Sequence, residues 1–228
     1  MALFTYHAAQ VGPLTTLRAV CRSPASWHVK GLIHAECMMQ MKLGTPILSP
    51  ARMQLRTLLM FAAWESPAAL ESFLAGPGLG RQFARGWHLR MNFLRRWGSI
   101  KELGWLPETE GSVTDDHPVA AVTVARMRLR ELPRFIHWGR PVEQLVRDHP
   151  GKPFATAGMR WPRTVSTFSV WKSQAEMLGM VHGHGKVSDP ARHRAAMAER
   201  ERRDFHFEFT TLRFAPLGEY GVQPGKEL

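Results

Sequence analysis

Two stretches of the chain carry the same hydrophobic punctuation. Phe61-Ala-Ala-Trp64-Glu-Ser-Pro-Ala-Ala-Leu70 and Phe168-Ser-Val-Trp171-Lys-Ser-Gln-Ala-Glu-Met177 each run an apolar segment into Trp, add one charged residue and a Ser, and turn helical. That pattern predicts a strand handing over to a helix, the Ser hydroxyl capping the first free N–H groups. Its recurrence predicts two similar halves, each burying its apolar face with the help of the other.

The pattern elsewhere predicts the remaining elements. Pro13–Cys21 is apolar and β-branched and reads as a strand. Ser23-Pro24 opens a helix carrying Trp27, Leu32 and Met38 to about Met41. Gln54–Trp64 is a strand, and Ser66-Pro67 caps a helix that Gly76-Pro-Gly78 breaks. A second helix then carries Phe83, Trp87, Met91 and Leu94, and a strand closes the half over Gly98–Leu106. In the second half Val119–Arg126 is a strand and Glu131–Arg147 a helix. Strands follow at Phe154–Met159 and Thr164–Trp171, with a turn at Trp161-Pro162. Ser173 caps a helix to Val181, Asp189-Pro190 opens another to about Arg202, and Phe205–Phe214 is the last strand.

The polar, acidic and Pro/Gly-punctuated segment Pro107–His117 separates the halves. The expected organisation is an N-terminal half at 1–108, a linker at 109–117 and a C-terminal half at 118–228. Each half reads β-α-β-β-α-β with its second helix broken in two, which is the ferredoxin-like order. The fold class is α+β: two ferredoxin-like halves forming a dimeric α/β barrel fused into one polypeptide.

Charge narrows the partners. The chain has 30 Lys and Arg against 19 Asp and Glu, a net charge of +11. Arg is spread through both halves, densest at Arg90, Arg95 and Arg96 and from Arg192 to Arg203. No recognition motif or RNP-like aromatic pattern accompanies it, so nucleic acid is not an expected partner. Anionic lipid and the carboxylates of a cofactor are. The two cysteines form no metal or disulfide pattern, and no signal segment or bilayer-length apolar run is present. The expectation is a cytoplasmic protein, with peripheral membrane contact and oligomerisation left open to it.

Candidate chemistry rests on the 11 histidines. No HExxH, paired CxxC, nucleophile elbow or Cys–His pairing occurs, which leaves zinc, di-iron and nucleophilic catalysis unsupported. His182-Gly-His184 offers two imidazoles in a glycine-rich turn. His193, Met197 and Arg200 share one helical face, with the small Ala196 beside them. An imidazole, a soft apolar contact and a guanidinium on one stripe suit a haem, and suit ordinary core packing equally well.

Particular residues add a family resemblance. Pro118-Val-Ala-Ala-Val-Thr, Leu132-Pro-Arg-Phe135, Val165-Ser-Thr-Phe168-Ser-Val-Trp171 and His193-Arg-Ala-Ala196-Met197 resemble segments of the spheroidene monooxygenase family of carotenoid biosynthesis, and Leu212-Arg213-Phe214 follows in register. The likeness covers about 118–214, while the first half adds Lys42-Leu-Gly-Thr45 and the strand ending at Trp64. It departs from the family between Val181 and Ala191, where the chain is longer, and at Phe205-His-Phe-Glu208-Phe-Thr-Thr. The resemblance implies a haem-dependent monooxygenase carrying haem b, acting on an apolar small molecule and drawing electrons from a donor protein. It implies His193 as the iron ligand, with Ala196, Met197 and Arg200 lining the haem. His182, His184 and His206 are then candidate hydrogen-bond donors to bound oxygen. A haem dehydratase of the aldoxime dehydratase type and a non-catalytic haem- or ligand-binding protein are the alternatives.

Overall fold

A computed structural model describes residues 2–46, 49–182 and 192–224. Eight antiparallel strands close into a barrel in the order β1-β3-β2-β6-β7-β5-β8-β4. In the first half β1 (Leu3–Gln10), α1 (Pro13–Cys21), β2 (Leu32–Met41) and β3 (Met53–Trp64) precede α2 (Pro67–Ala75), α3 (Leu79–Ala84) and β4 (Trp87–Ser99). In the second, β5 (Val119–Met127), α4 (Leu132–Asp148), β6 (Phe154–Arg160) and β7 (Thr164–Trp171) precede α5 (Gln174–His182), α6 (Arg192–Arg202) and β8 (His206–Tyr220). Each half is a ferredoxin-like unit, and β2–β6 and β4–β8 pairing fuses the two into one closed sheet with no free edge.

The second half follows its predicted pattern, and Ser173 Oγ accepts from the Glu176 N–H as a cap should. Ser66 likewise accepts from Ala69 N–H at the head of α2. The predicted start of α6 at Asp189-Pro190 lies outside the described residues.

The first half corrects the sequence expectation in five places. Pro13–Cys21 is helix, because Gly12 and Pro13 start a turn in which Thr15 and Thr16 N–H groups bond the Gly12 carbonyl. Leu32–Met41 is strand, with Ser23 Oγ accepting from Cys37 N–H across the connection instead of capping a helix. The spacing Phe83, Trp87, Met91, Leu94 mimics a helix, yet Trp87, Leu89, Met91 and Phe93 alternate into the barrel core as a strand. The closing strand is therefore β4, and Lys101–Leu103 is a short 3₁₀ turn. β1, which the pattern reading left out, supplies the missing strand.

The barrel is filled. Phe4, Tyr6, Phe61, Trp87, Phe168 and Phe214 meet at its centre, with Tyr6 and Phe168 stacked 4.0 Å apart. It is a packed core rather than a channel, which directs attention to the outer face of the sheet, where the helices lie.

Candidate functional site

Strand register makes the two outer faces directly comparable. His7 pairs with Met60 and His88, and Met60 pairs with Cys37. The matching row of the second half is Thr123, paired with Thr167 and Thr211, with Thr167 paired to Ala157. The first row is bulky and closed: His7, Met60 and Cys37 are fully buried and His88 nearly so. The second row is small, and Thr167, mid-strand on the face that the helices cover, is exposed. Thr123 and Thr211 share a hydroxyl–hydroxyl hydrogen bond of 3.2 Å beside it. Next along the sheet, Ala121, Ser169 and Ala155 continue the flat surface.

The helices explain the difference. α1 and α3 lie directly on their strands, and Leu58, Met60, Ala62, Trp64, Leu70 and Phe83 fuse into one buried cluster. In the second half α4 and α6 pack chiefly on each other, and Leu145 is the one buried residue in α4. The apolar contacts split into two islands. Val119, Trp171, Met177 and Met180 close one end, and Ala125, Met127, Phe205, Phe135 and Trp138 the other. The row of threonines lies between them.

His193 stands at the α5–α6 junction, where Nδ1 lies 3.1 Å from the Val181 carbonyl oxygen. A carbonyl only accepts, so Nδ1 carries the proton and Nε2 keeps its lone pair. Burial lowers the pKa of the ring, which holds it neutral. A neutral imidazole oriented by a backbone carbonyl through its other nitrogen is the usual state of a histidine metal ligand. On the same helix face Ala196 is buried and Met197 half-buried.

Cations border the gap. On β8, Arg213 lies on the outer-face row of Ala121, and Arg95 on β4 is its neighbour. Both guanidiniums lie 4.7 Å from the Trp97 ring. Arg213 donates to Gln174 Oε1, while its Nε is buried without a partner. Burial lowers its pKa, with the like charge of Arg95 adding to the effect. Such an arrangement favours an incoming carboxylate. The sequence reading found Arg213 only as part of a resemblance. Its counterpart in the first half is Arg90, since Arg90–Thr5 and Arg213–Ala121 are equivalent pairs, and that register is set by the closed barrel and not by any local sequence signal.

At the far end of the gap, Arg200 stacks on Phe209 at 3.7 Å and approaches Asp204 at 3.6 Å. His206 is buried among Phe135, Phe205 and Phe209. Its Nδ1 lies 3.1 Å from the Asp204 carboxylate and its Nε2 has no partner. Burial lowers its pKa to about 4, so in the neutral ring Nδ1 donates to Asp204 and Nε2 is an acceptor. In this tautomer Nε2 of His206 can accept a hydrogen bond and carries no proton to donate. His182 ends α5, exposed, and its ring acts on the His193 pKa as a neighbouring charge. His184 lies outside the described residues. Among the described residues no cluster of three or more His, Cys, Asp or Glu could hold a metal ion by itself. A haem needs only one protein ligand to its iron. An open groove of about 520 Å³ runs along the solvent side of α4 past His137 and Arg140, away from the sheet and from His193.

No protein-family model matches the chain, and no curated protein matches it. Solved structures do. An aldoxime dehydratase crystallised with butyraldoxime aligns over 98% of this chain and 84% of its own, at 8% identity and a TM-score of 0.60. The two share a fold. A protein assigned as a monooxygenase from Fusobacterium nucleatum aligns over 100% of this chain and 98% of its own, at 10% identity and a TM-score of 0.41. At 8% identity the likeness to the aldoxime dehydratase establishes the fused α+β barrel and nothing finer.

Proposed function

We propose that this chain is a haem-dependent monooxygenase of an apolar small molecule, with haem b lying between the second half's sheet and α6. The observation that carries the reading is the state of His193: a neutral ring with Nδ1 bonded to the Val181 carbonyl and Nε2 without a partner among the described residues, in the half whose outer sheet face is built from small side chains. The residues present suit the group. Ala121, Ser169 and the threonine row offer a flat wall, and Ala196 and Met197 a soft one. The unpartnered Arg213 Nε, with Arg95, is a counter-charge for propionates.

Bound there, haem iron supplies oxygen activation once two electrons arrive from a donor protein. The chain's own residues do the rest. Val181 fixes the His193 tautomer, and the apolar islands close the two ends of the gap. Thr123, Thr167 and Thr211 supply hydroxyls that orient a polar atom of the substrate. His206, with Asp204 holding Nδ1, is placed to accept a proton at Nε2.

The aldoxime dehydratase that shares the fold was crystallised with a small aliphatic aldoxime, which favours a second reading as a haem dehydratase. Water loss from an aldoxime is redox-neutral, so electron demand separates the two. Protein produced with a haem precursor is expected to show a Soret band and to consume apolar substrate only with a reductant and oxygen. Turnover of aldoximes without net electron input would replace the oxygenase reading by the dehydratase one. A colourless protein with no affinity for added hemin would remove both and leave a non-catalytic binding protein.

A further inference from the structure

The strand directions place a second feature that the haem reading does not use. β1 begins and β3 ends at the same end of the barrel, where Leu3 faces Trp64. The start of β2, the end of β4, the end of β5, the start of β8 and the β6–β7 hairpin all lie there too. The connections at this end carry Trp27 (81% exposed), Trp161 (78%) and Trp105 (49%), and Phe207 and Leu129 are exposed beside the last two strands. The opposite end exposes Leu14, Leu55, Leu217 and Val222 and no tryptophan.

Charge at the aromatic end is mainly basic, and Glu65, just past the end of β3, is an exposed carboxylate there without an ion-pair partner among the described residues. Lys30, Arg128, Arg130 and Arg163 are exposed, and among the described residues none has a carboxylate partner. The carboxylates nearby are mostly engaged already. Arg134 and Arg203 hold Glu131, Arg126 holds Glu102 and Glu208, and Arg200 holds Asp204. Arg163 also lies over the Phe207 ring at 5.8 Å, so cation and aromatic alternate on the surface. Exposed tryptophans cost solubility unless they find an amphipathic medium, and unpaired arginines around them favour an anionic one.

We propose that this end of the barrel docks on an anionic lipid bilayer, with Trp27 and Trp161 at headgroup depth and Arg128, Arg130 and Arg163 against the lipid phosphates. Lipid fits better than an acidic protein because the aromatic side chains sit on separate connections around a rim. They form no single groove for a partner's segment. The proposal stands independently of haem, and the protein with or without the group serves to test it.

Flotation with phosphatidylglycerol–phosphatidylcholine vesicles at low salt is expected to carry the protein, and pure phosphatidylcholine vesicles are not. Each basic residue near an anionic surface contributes about 1 kcal/mol, roughly fivefold in partitioning. Replacing Arg128, Arg130 and Arg163 together by Gln should therefore weaken binding on the order of 100-fold. W161S and W27S should each weaken binding and lose the blue shift of tryptophan emission on vesicles. L14S and L55S, at the other end, should leave it unchanged. Circular dichroism of every variant should match the parent. Equal binding to both vesicle types, no binding to either, or equal losses from L14S and L55S would overturn the proposal. Self-association in sedimentation that W161S abolishes, with no vesicle binding, would make the same end a contact between copies.

Discussion

The two halves share one topology and differ in one row of side chains. In the first half His88, His7, Met60 and Cys37 cross the sheet beneath the helices and leave no room. In the second half Thr211, Thr123, Thr167 and Ala157 occupy the same register, and the helices stand off them. The tryptophans that end β3 and β7 are equivalent, and each indole N–H is satisfied by a hydroxyl, Thr5 in one half and Ser169 in the other. The scaffold is thus duplicated and the filling is not. One half closes its outer face as a structural core and the other leaves its outer face open, because close packing in the first supplies stability that the second can do without.

Exchanging the two rows is the strongest way to break that comparison. Met60→Thr removes buried volume and buries a hydroxyl, and should cost about 2–4 kcal/mol in urea unfolding. Thr167→Met should change stability by no more than about 0.5 kcal/mol and should cut hemin affinity at least tenfold by filling the gap. Equal costs at both positions would show that the faces are packed alike.

The next effect is on pH. Burial leads the shifts that hold His34 and His88 down to about 4 and His7 well below its ordinary 6.5. The folded chain keeps these rings neutral while the unfolded chain protonates below about 6.5. Stability is then fully present above that pH and is lost as pH falls towards about 4. Glu36, raised by burial, works in the opposite sense, as one group against these three rings and the likewise lowered His193 and His206. Urea midpoints should drop between pH 7 and 5, and His88→Asn should flatten the slope. An unchanged slope would mean that these rings titrate normally in the fold.

His193→Ala should shift the Soret band and lower hemin affinity about tenfold or more, with little change in unfolding of the hemin-free protein. His206→Ala should leave the ligand band in place and alter turnover. The reverse pattern would move the iron ligand to His206. Smallest is Arg213→Gln, expected to weaken hemin binding by about 1 kcal/mol. Its register counterpart Arg90, paired to Glu71 and stacked on Tyr220, should tolerate the same change without effect on hemin. Equal responses at Arg90 and Arg213 would remove the distinction between the two cations.

Legibility differed between the same two regions. In the second half caps and turns agree with periodicity, so strands and helices fall where the pattern puts them. In the first half local signals conflict. Thr15, Thr16 and Val20 favour a strand, yet the turn at Gly12-Pro13 and a sheet face waiting for Ala19 make a helix. The stripe of His193, Met197 and Arg200 was readable as periodicity. The threonine platform was not, because a threonine in a strand looks the same whether a helix covers it or not.

The sequence alone determined the duplication, the order of elements in the second half and the helix face that carries His193. These follow from side-chain periodicity and capping, which act over a few residues. Tertiary structure alone decided which half is filled and which is open, where Arg95 and Arg213 meet Trp97, and that three connections bring their tryptophans to one end. Those facts depend on strand register across a closed barrel, where residues distant in the chain become neighbours and only the summed volumes set what remains exposed.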